Sequence, residues 1–280
     1  MVHVRLHESV EEFRTIAEPL YRRDPVLHTI ELTLLGGDNF PDDSFLLTVW
    51  DGNTPIGAAI QTPPYPLACT GIPAASVESV VEVIAGARPG LDGVRGARDT
   101  TFAFADAWHA VTGLSGRVSL EERLYRLGAL EAPDTVAGAA RPATDDDRGL
   151  LVDWVELFFG ETFGHRRDDA AGARFLDAAK DKRDQFVLWE AGGDPVSLAM
   201  LRAPAAGVSR IGPVFTPRDR RGNGYGSAVT AAAAKLAIGL GVTDVVLFAD
   251  LANPTSNAIY QRIGFEPVAD SVRIDFGAKT

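Results

Sequence analysis

The sequence Arg221-Gly222-Asn223-Gly224-Tyr225-Gly226 joins an apolar, β-branched segment that begins at Ile211 to an alanine-rich segment with helical periodicity. Three glycines in six residues leave a turn with little side-chain bulk, so its backbone N–H groups can approach a large anion. The N-terminus of the following helix adds the positive end of its dipole at the same place. The sequence therefore predicts a pyrophosphate-binding turn between a strand and a helix, with Arg220 and Arg221 at its edge.

The spacing of these glycines distinguishes the turn from two common phosphate-binding motifs. The dinucleotide fingerprint requires G-x-G-x-x-G, whereas the glycines here are spaced G-x-G-x-G. The nucleotide P-loop requires Gly-Lys-Ser/Thr, and no lysine follows these glycines. The pattern that fits is R-x-x-G-x-G, carried by Arg221, Gly224 and Gly226, and it resembles the acetyl-CoA loop of the GNAT acetyltransferase superfamily.

A second motif follows the first along the chain. The apolar segment 245–249 predicts a buried strand, and the sequence from Asn253 predicts a short helix. Asn253 suits the N-cap, Pro254 the first helical position and Gly264 a left-handed helix end. This order of strand, Asn, short helix containing Tyr260, and Gly-Phe resembles the second half of a GNAT cofactor site.

The chain also repeats itself at half its length. Two predicted hairpins share a Trp-acid pair, a Gly-rich turn and a Pro; Trp50 and Trp189 are 139 positions apart, and Pro55 and Pro195 are 140 apart. Two unrelated hairpins with common turn chemistry are the alternative, but the extended match favours duplication. With the GNAT resemblance over about residues 140–276, this implies an α+β fold of two tandem GNAT-like domains, each a mixed, mostly antiparallel sheet flanked by helices.

The predicted boundary between the two domains is an aperiodic segment. Residues 131–140 are interpreted as a linker, which gives a first domain at 1–132 and a second at 139–280. About 140 positions before Gly224 the chain reads Val80–Ala85, without a glycine triplet. The first domain is therefore predicted to be a degenerate GNAT-like domain without the acetyl-CoA loop, and the second to be catalytic.

The periodicity of the second domain predicts its elements in some detail. Helices are expected from Thr144 or Asp145 to about residue 159 and over 168–183, 224–239 and 254–263. Strands are expected over 186–190, 196–202, 208–215, 244–249 and 270–276.

Composition limits the classes of protein and partner. The chain has 280 residues, of which 46% are hydrophobic, enough for one large or two ordinary cores. Its formal charge of −11 disfavours nucleic acid and anionic membranes, and no apolar run approaches a membrane span. Cys69 is the sole cysteine, which suits a reducing compartment. A cytoplasmic monomer or homodimer is expected.

The resemblance implies acetyl-CoA as the cofactor and names the residues that would hold it. The backbone of the glycine turn would bind the pyrophosphate, the end of the preceding strand would line the pantetheine, and the start of the short helix would contribute polar groups. The set is Val214, Phe215, Thr216, Arg220, Arg221, Gly222, Asn223, Gly224, Tyr225, Gly226, Ser227, Asn253, Ser256, Asn257 and Tyr260.

The implied reaction is direct transfer of acetyl to an amine, which needs a base for the amine and an acid for the departing thiolate. Tyr260 matches the position of the family's acid, and a phenol of pKa about 10 is protonated at neutral pH and so carries a proton for the departing thiolate. Asp250 is the first candidate for the base. A water relay and four other side chains stay open: Glu156, Glu161, His165 and Glu190.

Two functions remain open from the sequence. The first is an acetyl-CoA-dependent N-acetyltransferase acting on a primary amine of a small molecule or protein. The second is a non-catalytic acyl-CoA-binding or regulatory protein with the same fold. No metal site is expected, because no cluster of His, Cys and Asp has metal-ligand spacing.

Overall fold

The computed structural model describes residues 2–37 and 40–277, which form two compact units. Among the described residues, unit 1 comprises 2–37, 40–124, 250–252 and 268–277, and unit 2 comprises 125–249 and 253–267. The sequence predicted a division between residues 132 and 139. In the structure the described residues from Val268 onward lie with the N-terminal half.

The described residues form twelve strands and eight α-helices. The first ten elements are β1 Val2–His7, α1 Val10–Tyr21, α2 Thr29–Leu35, β2 Phe45–Asp51, β3 Thr54–Gln61, β4 Leu67–Ala68, α3 Val77–Ala87, β5 Gly93–Ala97, α4 Arg98–Thr112 and β6 Gly116–Leu127. The next ten are β7 Ala139–Pro142, α5 Arg148–Phe163, α6 Asp169–Asp181, β8 Gln185–Ala191, β9 Asp194–Leu201, β10 Val208–Phe215, α7 Tyr225–Gly239, β11 Asp244–Asp250, α8 Pro254–Arg262 and β12 Phe265–Phe276.

The sheet of unit 1 takes its sixth strand from the end of the chain. Its strand order is β1-β2-β3-β4-β5-β12-β6, and its pairs are antiparallel from β1 to β4 and parallel between β4 and β5. Ser271–Asp275 of β12 pair antiparallel with Gly93–Ala97 of β5. The apolar side chains of Val272 and Ile274 are buried there, which explains why the last strand lies in this unit.

The core of unit 1 lies beneath α3 and α4. Val80, Val81 and Ile84 of α3 follow helical spacing and are fully buried. They belong to one apolar cluster with Phe104 and Trp108 of α4. This cluster contains no ionisable side chain apart from the thiol of Cys69, whose pKa burial raises to about 12.

Unit 2 contains a sheet with apolar clusters on both faces. Its strands run β11-β10-β9-β8-β7, antiparallel except for the parallel pair β10 and β11. Val187 of β8 packs in the cluster under α7, whereas the next residue, Leu188, packs in the cluster under α5. Because neighbouring residues of a strand point to opposite faces, the two helices cover opposite sides of the sheet.

Most of the predicted elements of the second domain are confirmed, but two features differ from the prediction. The segment interpreted as a linker ends in a strand: Ala139–Pro142 pair with β8, because Gly138 lets the backbone approach Glu190 where a Cβ would overlap the Glu190 carbonyl. The segment Val80–Ala85, taken as the counterpart of the glycine turn, lies inside α3. The residues that precede α3 are Pro73-Ala74-Ala75-Ser76, which contain no glycine.

Candidate active site

The glycine turn lies between β10 and α7, as its sequence predicts. Gly222 and Gly224 have φ of +84° and +80°, in the left-handed region that favours glycine, and Gly224 is the residue before α7. A Cβ atom at Gly224 would lie 2.8 Å from Cγ2 of Val136, whereas a Cβ at Gly222 would meet nothing within 4 Å. Gly224 is therefore required by both backbone conformation and space.

The first turn of α7 presents N–H groups for an anion. The N–H of Ala228 donates to the Gly224 carbonyl at 3.0 Å, which is the first hydrogen bond of this helix. The N–H groups of Tyr225, Gly226 and Ser227 donate to no described residue, as is general for a helix N-terminus. Since the Ser227 hydroxyl donates to the Gly224 carbonyl, these backbone donors are the free groups of the turn. A pyrophosphate fits such a site.

The arginines beside the turn are already paired. Arg221 donates from Nη2 to Oε2 of Glu161 at 2.6 Å and from Nε to the Thr216 carbonyl at 2.9 Å. Arg218 donates from Nε to Oε1 of Glu161 at 2.9 Å. Nε of Arg220 lies 3.3 Å from Oδ2 of Asp219. Partial burial acts to raise the pKa of Glu161, but the hydrogen bonds from Arg221 and Arg218 outweigh it and hold that pKa below its ordinary value.

Strands β10 and β11 separate beside the turn. Their parallel pairing covers Val208–Ile211 of β10 and ends there, and the register of β10 against β9 shifts between Ile211 and Val214. Beyond Ile211 the backbone of β10 therefore has no pairing partner on the β11 side among the described residues. An extended, amide-containing chain fits beside Val214 and Thr216 as an added strand. The Phe215 side chain is buried against Trp154, and its carbonyl accepts from the Ser197 hydroxyl at 3.0 Å, so this residue anchors the end of the strand.

The start of α8 is an ordered network of polar side chains. Asn253 caps the helix, its side-chain oxygen accepting from the Ser256 N–H at 3.1 Å, and the Asn257 amide donates to the Asn253 carbonyl at 2.8 Å. Tyr125 donates its hydroxyl to Oδ1 of Asn257 at 2.8 Å and accepts from the Gln261 amide at 3.3 Å. The side-chain oxygen of Asn253 thus serves as the helix cap.

Sequence reasoning missed Tyr125. It lies at the end of β6, on the first-domain side of the predicted boundary, so it was not considered with the second domain. Its ring is fully buried in the cluster under α7 and 6.5 Å from the ring of Tyr260. A lone Tyr in a strand carries no motif, and only the path of the chain places it here.

Tyr260 lies on α8, between the rings of Tyr125 and Phe265, both within 6.5 Å. Its hydroxyl forms no hydrogen bond with a described residue, and part of the side chain is exposed. Burial of the phenol raises the pKa of Tyr260 to about 12. The hydroxyl is therefore protonated at neutral pH, as a proton donor must be.

The candidates for the base have different surroundings. Glu190 accepts from Arg141 at 2.7 Å, and Glu161 holds two arginines as described above, so each is already neutralised by a cation. Asp250, which lies in unit 1, accepts the Ala252 N–H at 2.8 Å. Glu156 is 6% exposed and accepts the Asp168 N–H at 2.7 Å.

A cleft of about 540 Å³ lies beside the paired arginines. Its walls come from α5, the segment that follows α5, and the end of β10 with the residues after it. The lining residues are Glu156, Leu157, Gly160, Glu161, His165, Arg167, Phe215, Pro217, Arg218 and Asp219. This volume is in the range of sites for small molecules.

Residues 2–37 and 40–277 contain neither a metal-binding cluster nor a membrane-spanning helix. No group of three or more His, Cys, Asp or Glu side chains there is arranged to hold a metal ion. No helix in the same residues is long and apolar enough to cross a membrane.

Comparison with known proteins finds a family match over part of the chain and a similar fold over the whole of it. Residues 150–265 match the acetyltransferase (GNAT) family. No curated protein matches the sequence. Among solved structures, a GNAT-family acetyltransferase from Colwellia psychrerythraea is 10% identical with a TM-score of 0.65, over 98% of this chain and 100% of that one.

Other similar structures also extend over the whole chain. A Drosophila protein is 12% identical with a TM-score of 0.67, over 99% of both chains. A tandem GNAT protein from the clavulanic acid biosynthesis pathway is 12% identical with a TM-score of 0.62, over 100% of both chains. Identities this low show a shared fold and nothing finer.

Proposed function

We propose that this protein is an acetyl-CoA-dependent N-acetyltransferase, because residues 150–265 match the acetyltransferase (GNAT) family and the whole chain is similar in fold to a tandem GNAT protein. The acceptor is a primary amine of a small molecule or of a protein. The observation that carries the proposal is the glycine turn, whose free N–H groups at the start of α7 lie beside the point where β10 and β11 separate.

The residues of unit 2 fit the cofactor in three places. The N–H groups of Tyr225, Gly226 and Ser227 would hold the pyrophosphate. The backbone of Val214 and the N–H of Thr216, whose carbonyl already accepts from Arg221, would pair with the amides of the pantetheine arm. When bound, acetyl-CoA supplies an activated acyl group on a thiol leaving group.

Tyr260 is the proton donor in this proposal. A hydroxyl with a pKa of about 12 stays protonated at neutral pH. Giving its proton to a thiolate, whose conjugate acid has a pKa of about 8.5, is uphill by itself, so the step requires the phenolate to take up the proton that the attacking nitrogen loses. Its neighbours Tyr125 and Phe265 hold the ring by packing, and no described side chain competes for the hydroxyl. The base stays a prediction, with Asp250 and a water relay as candidates.

The experiment that tests the proposal follows thiol release from acetyl-CoA in the presence of a panel of amines. Wild-type protein should release thiol only with an amine present, and mass spectrometry should find the acetylated amine. Calorimetry on the same sample should find one CoA site per chain. Stoichiometric CoA binding without turnover on any amine would instead favour the non-catalytic acyl-CoA-binding protein.

A further inference from the structure

Glu156 is a buried acid in the wall of the cleft, and it has no cation. It is 6% exposed, and its Oε2 accepts the N–H of Asp168 at 2.7 Å. Its Oε1 lies beside Gly172 of α6, where a Cβ would come within 3.0 Å of it. Within residues 2–37 and 40–277, no Lys, Arg or His side chain forms an ion pair with Glu156. A carboxylate withdrawn from water is costly unless a cation or further hydrogen bonds compensate.

The other charged side chains of the cleft compensate one another. Arg218 pairs with Glu161, and Asp219 lies 3.3 Å from Arg220. Arg167 pairs with Asp153 at 2.7 Å and with Asp169 at 2.6 Å, and neither of these acids lines the cleft. Glu156 is thus the lining side chain whose charge is left unbalanced, and the cleft suits a ligand with a positive group.

We propose that Glu156 binds a second cationic group of the acceptor, distinct from the amine that is acetylated, so that the substrate is a diamine or a longer polyamine. This inference rests on the proposed function. It names the class of acceptor and a binding site for it in the cleft.

The reacting amine itself does not suit this position. An adjacent carboxylate stabilises the protonated form of an amine, and a protonated amine has no lone pair for attack on a thioester. A cationic group that takes no part in the reaction has no such conflict. The pairing then fixes orientation and selects against monoamines.

The spacing along α5 supports two separate places in the cleft. Glu156 and Glu161 are five residues apart, which is about 7.5 Å along a helix axis. Glu161 lies at the end of the cleft where Arg221 joins the glycine turn, so Glu156 is the more distant carboxylate. The apolar side chains of Leu157 and Phe215 line the same cleft and suit a methylene chain between two nitrogens.

The test compares two probes that differ in the second ammonium: 1,4-diaminobutane and n-butylamine. Wild-type full-length protein should acetylate the diamine with a kcat/KM at least about tenfold higher, because a desolvated ion pair is lost with the monoamine. The variant Glu156→Gln keeps an acceptor for the Asp168 N–H. It should lose this preference through a higher KM for the diamine, so that the ratio of kcat/KM for the diamine to kcat/KM for n-butylamine falls toward one.

The control variant is Asp181→Asn, which removes the same charge from an exposed position of α6 and should leave the preference intact. If Glu156→Gln lowers kcat/KM equally for the diamine and for n-butylamine, Glu156 acts in proton transfer or in folding, and the inference is overturned. A wild-type protein with no preference for the diamine would overturn it as well.

Calorimetry with 1,4-diaminobutane and no acetyl donor separates this inference from the proposed function. Wild-type protein should bind the diamine, and Glu156→Gln should bind it at least about tenfold more weakly, with an unchanged melting temperature. Glu156-dependent binding without acetylation of any amine would refute the transferase and keep the cation site. If the protein acetylates amines but Glu156→Gln binds the diamine as tightly as the wild type does, the cation site is refuted and the transferase is kept.

Discussion

Nη2 of Arg221 lies 2.6 Å from Oε2 of Glu161, so the arginine beside the glycine turn is paired with an acid in the wall of the cleft. Its Nε donates to the Thr216 carbonyl, which fixes the guanidinium between α5 and the end of β10. The same carboxylate holds Arg218. One acid on α5 therefore neutralises two cations beside the glycine turn, where we propose that the pyrophosphate binds.

Removing the acid should strengthen binding of CoA. In Glu161→Gln, two guanidinium charges lose their counter-ion beside an anion site, so the local potential becomes more positive. We expect a severalfold lower Kd for CoA by calorimetry at low ionic strength, and a smaller gain at high salt because of screening. Asp181→Asn is the charge-matched control. Weaker binding in Glu161→Gln would mean that the acid acts chiefly by positioning the turn.

Gly224 should not tolerate a side chain. Its φ of +80° is strained for other residues, and a Cβ would lie 2.8 Å from Val136. Gly224→Val should therefore displace the N–H groups of the turn and abolish measurable CoA binding. Gly239→Ala, at the other end of α7 with nothing within 4 Å, is the control and should bind normally. Unaltered binding in Gly224→Val would place the pyrophosphate elsewhere.

The phenol of Tyr260 should matter for turnover and not for affinity. Tyr260→Phe removes the proposed proton donor and keeps the ring between its aromatic neighbours, so we expect kcat to fall by about 10² to 10⁴. The Kd for CoA should change little. Tyr65→Phe, which removes an exposed hydroxyl in unit 1, is the control. Normal turnover in Tyr260→Phe would reduce this residue to packing.

The helix that lines the cleft should lose stability in acid through Asp147. Hydrogen bonds from Arg141, and from the backbone and hydroxyl of Thr144, hold the pKa of Asp147 well below its usual range. Because the folded-state pKa is depressed, this stabilisation is complete above the ordinary pKa of Asp, about 4, and is lost progressively as the pH falls below it.

The variant Asp147→Asn measures that contribution. It should lower the free energy of unfolding by about 2 kcal/mol at pH 7, because hydrogen bonds to a charged group are lost while Arg141 keeps Glu190. Urea unfolding at pH 7 and pH 3 should show that the difference in free energy of unfolding between wild type and variant is smaller at pH 3. An equal difference in free energy of unfolding at both pH values would contradict the ionic origin of this stabilisation.

The sequence predicted the local features of the site because each depends on neighbouring residues. The glycine-rich turn before α7, the Asn253 cap and the left-handed Gly264 all follow from backbone sterics and hydrogen bonding within one turn. The partners of Arg221 and Asn257 were not predicted. Glu161 and Tyr125 are 60 and 132 positions away from them, and no short-range pattern encodes such pairs.

The order of the strands in the sheet could not be predicted from the local sequence either. The pattern of apolar residues predicted a strand over 270–276, and β12 is present. The same pattern does not say which strand will be its neighbour, because pairing across the sheet depends on tertiary packing. In the structure its partner is β5, about 180 positions earlier in the chain.

A fragment that keeps only the predicted catalytic domain should therefore not fold as a soluble monomer. Residues 136–280 contain β12 but lack β5, so Ser271–Asp275 would lose their hydrogen-bonded partner and Val272 and Ile274 would be exposed. An unpaired apolar edge strand promotes aggregation. We expect the fragment to be insoluble or aggregated by size-exclusion chromatography, and to become soluble when residues 1–130 are co-expressed from a second chain. A soluble, monomeric fragment 136–280 with cooperative unfolding would show that β12 has an alternative position, and that the C-terminal half folds without the strand it takes as a partner in the full chain.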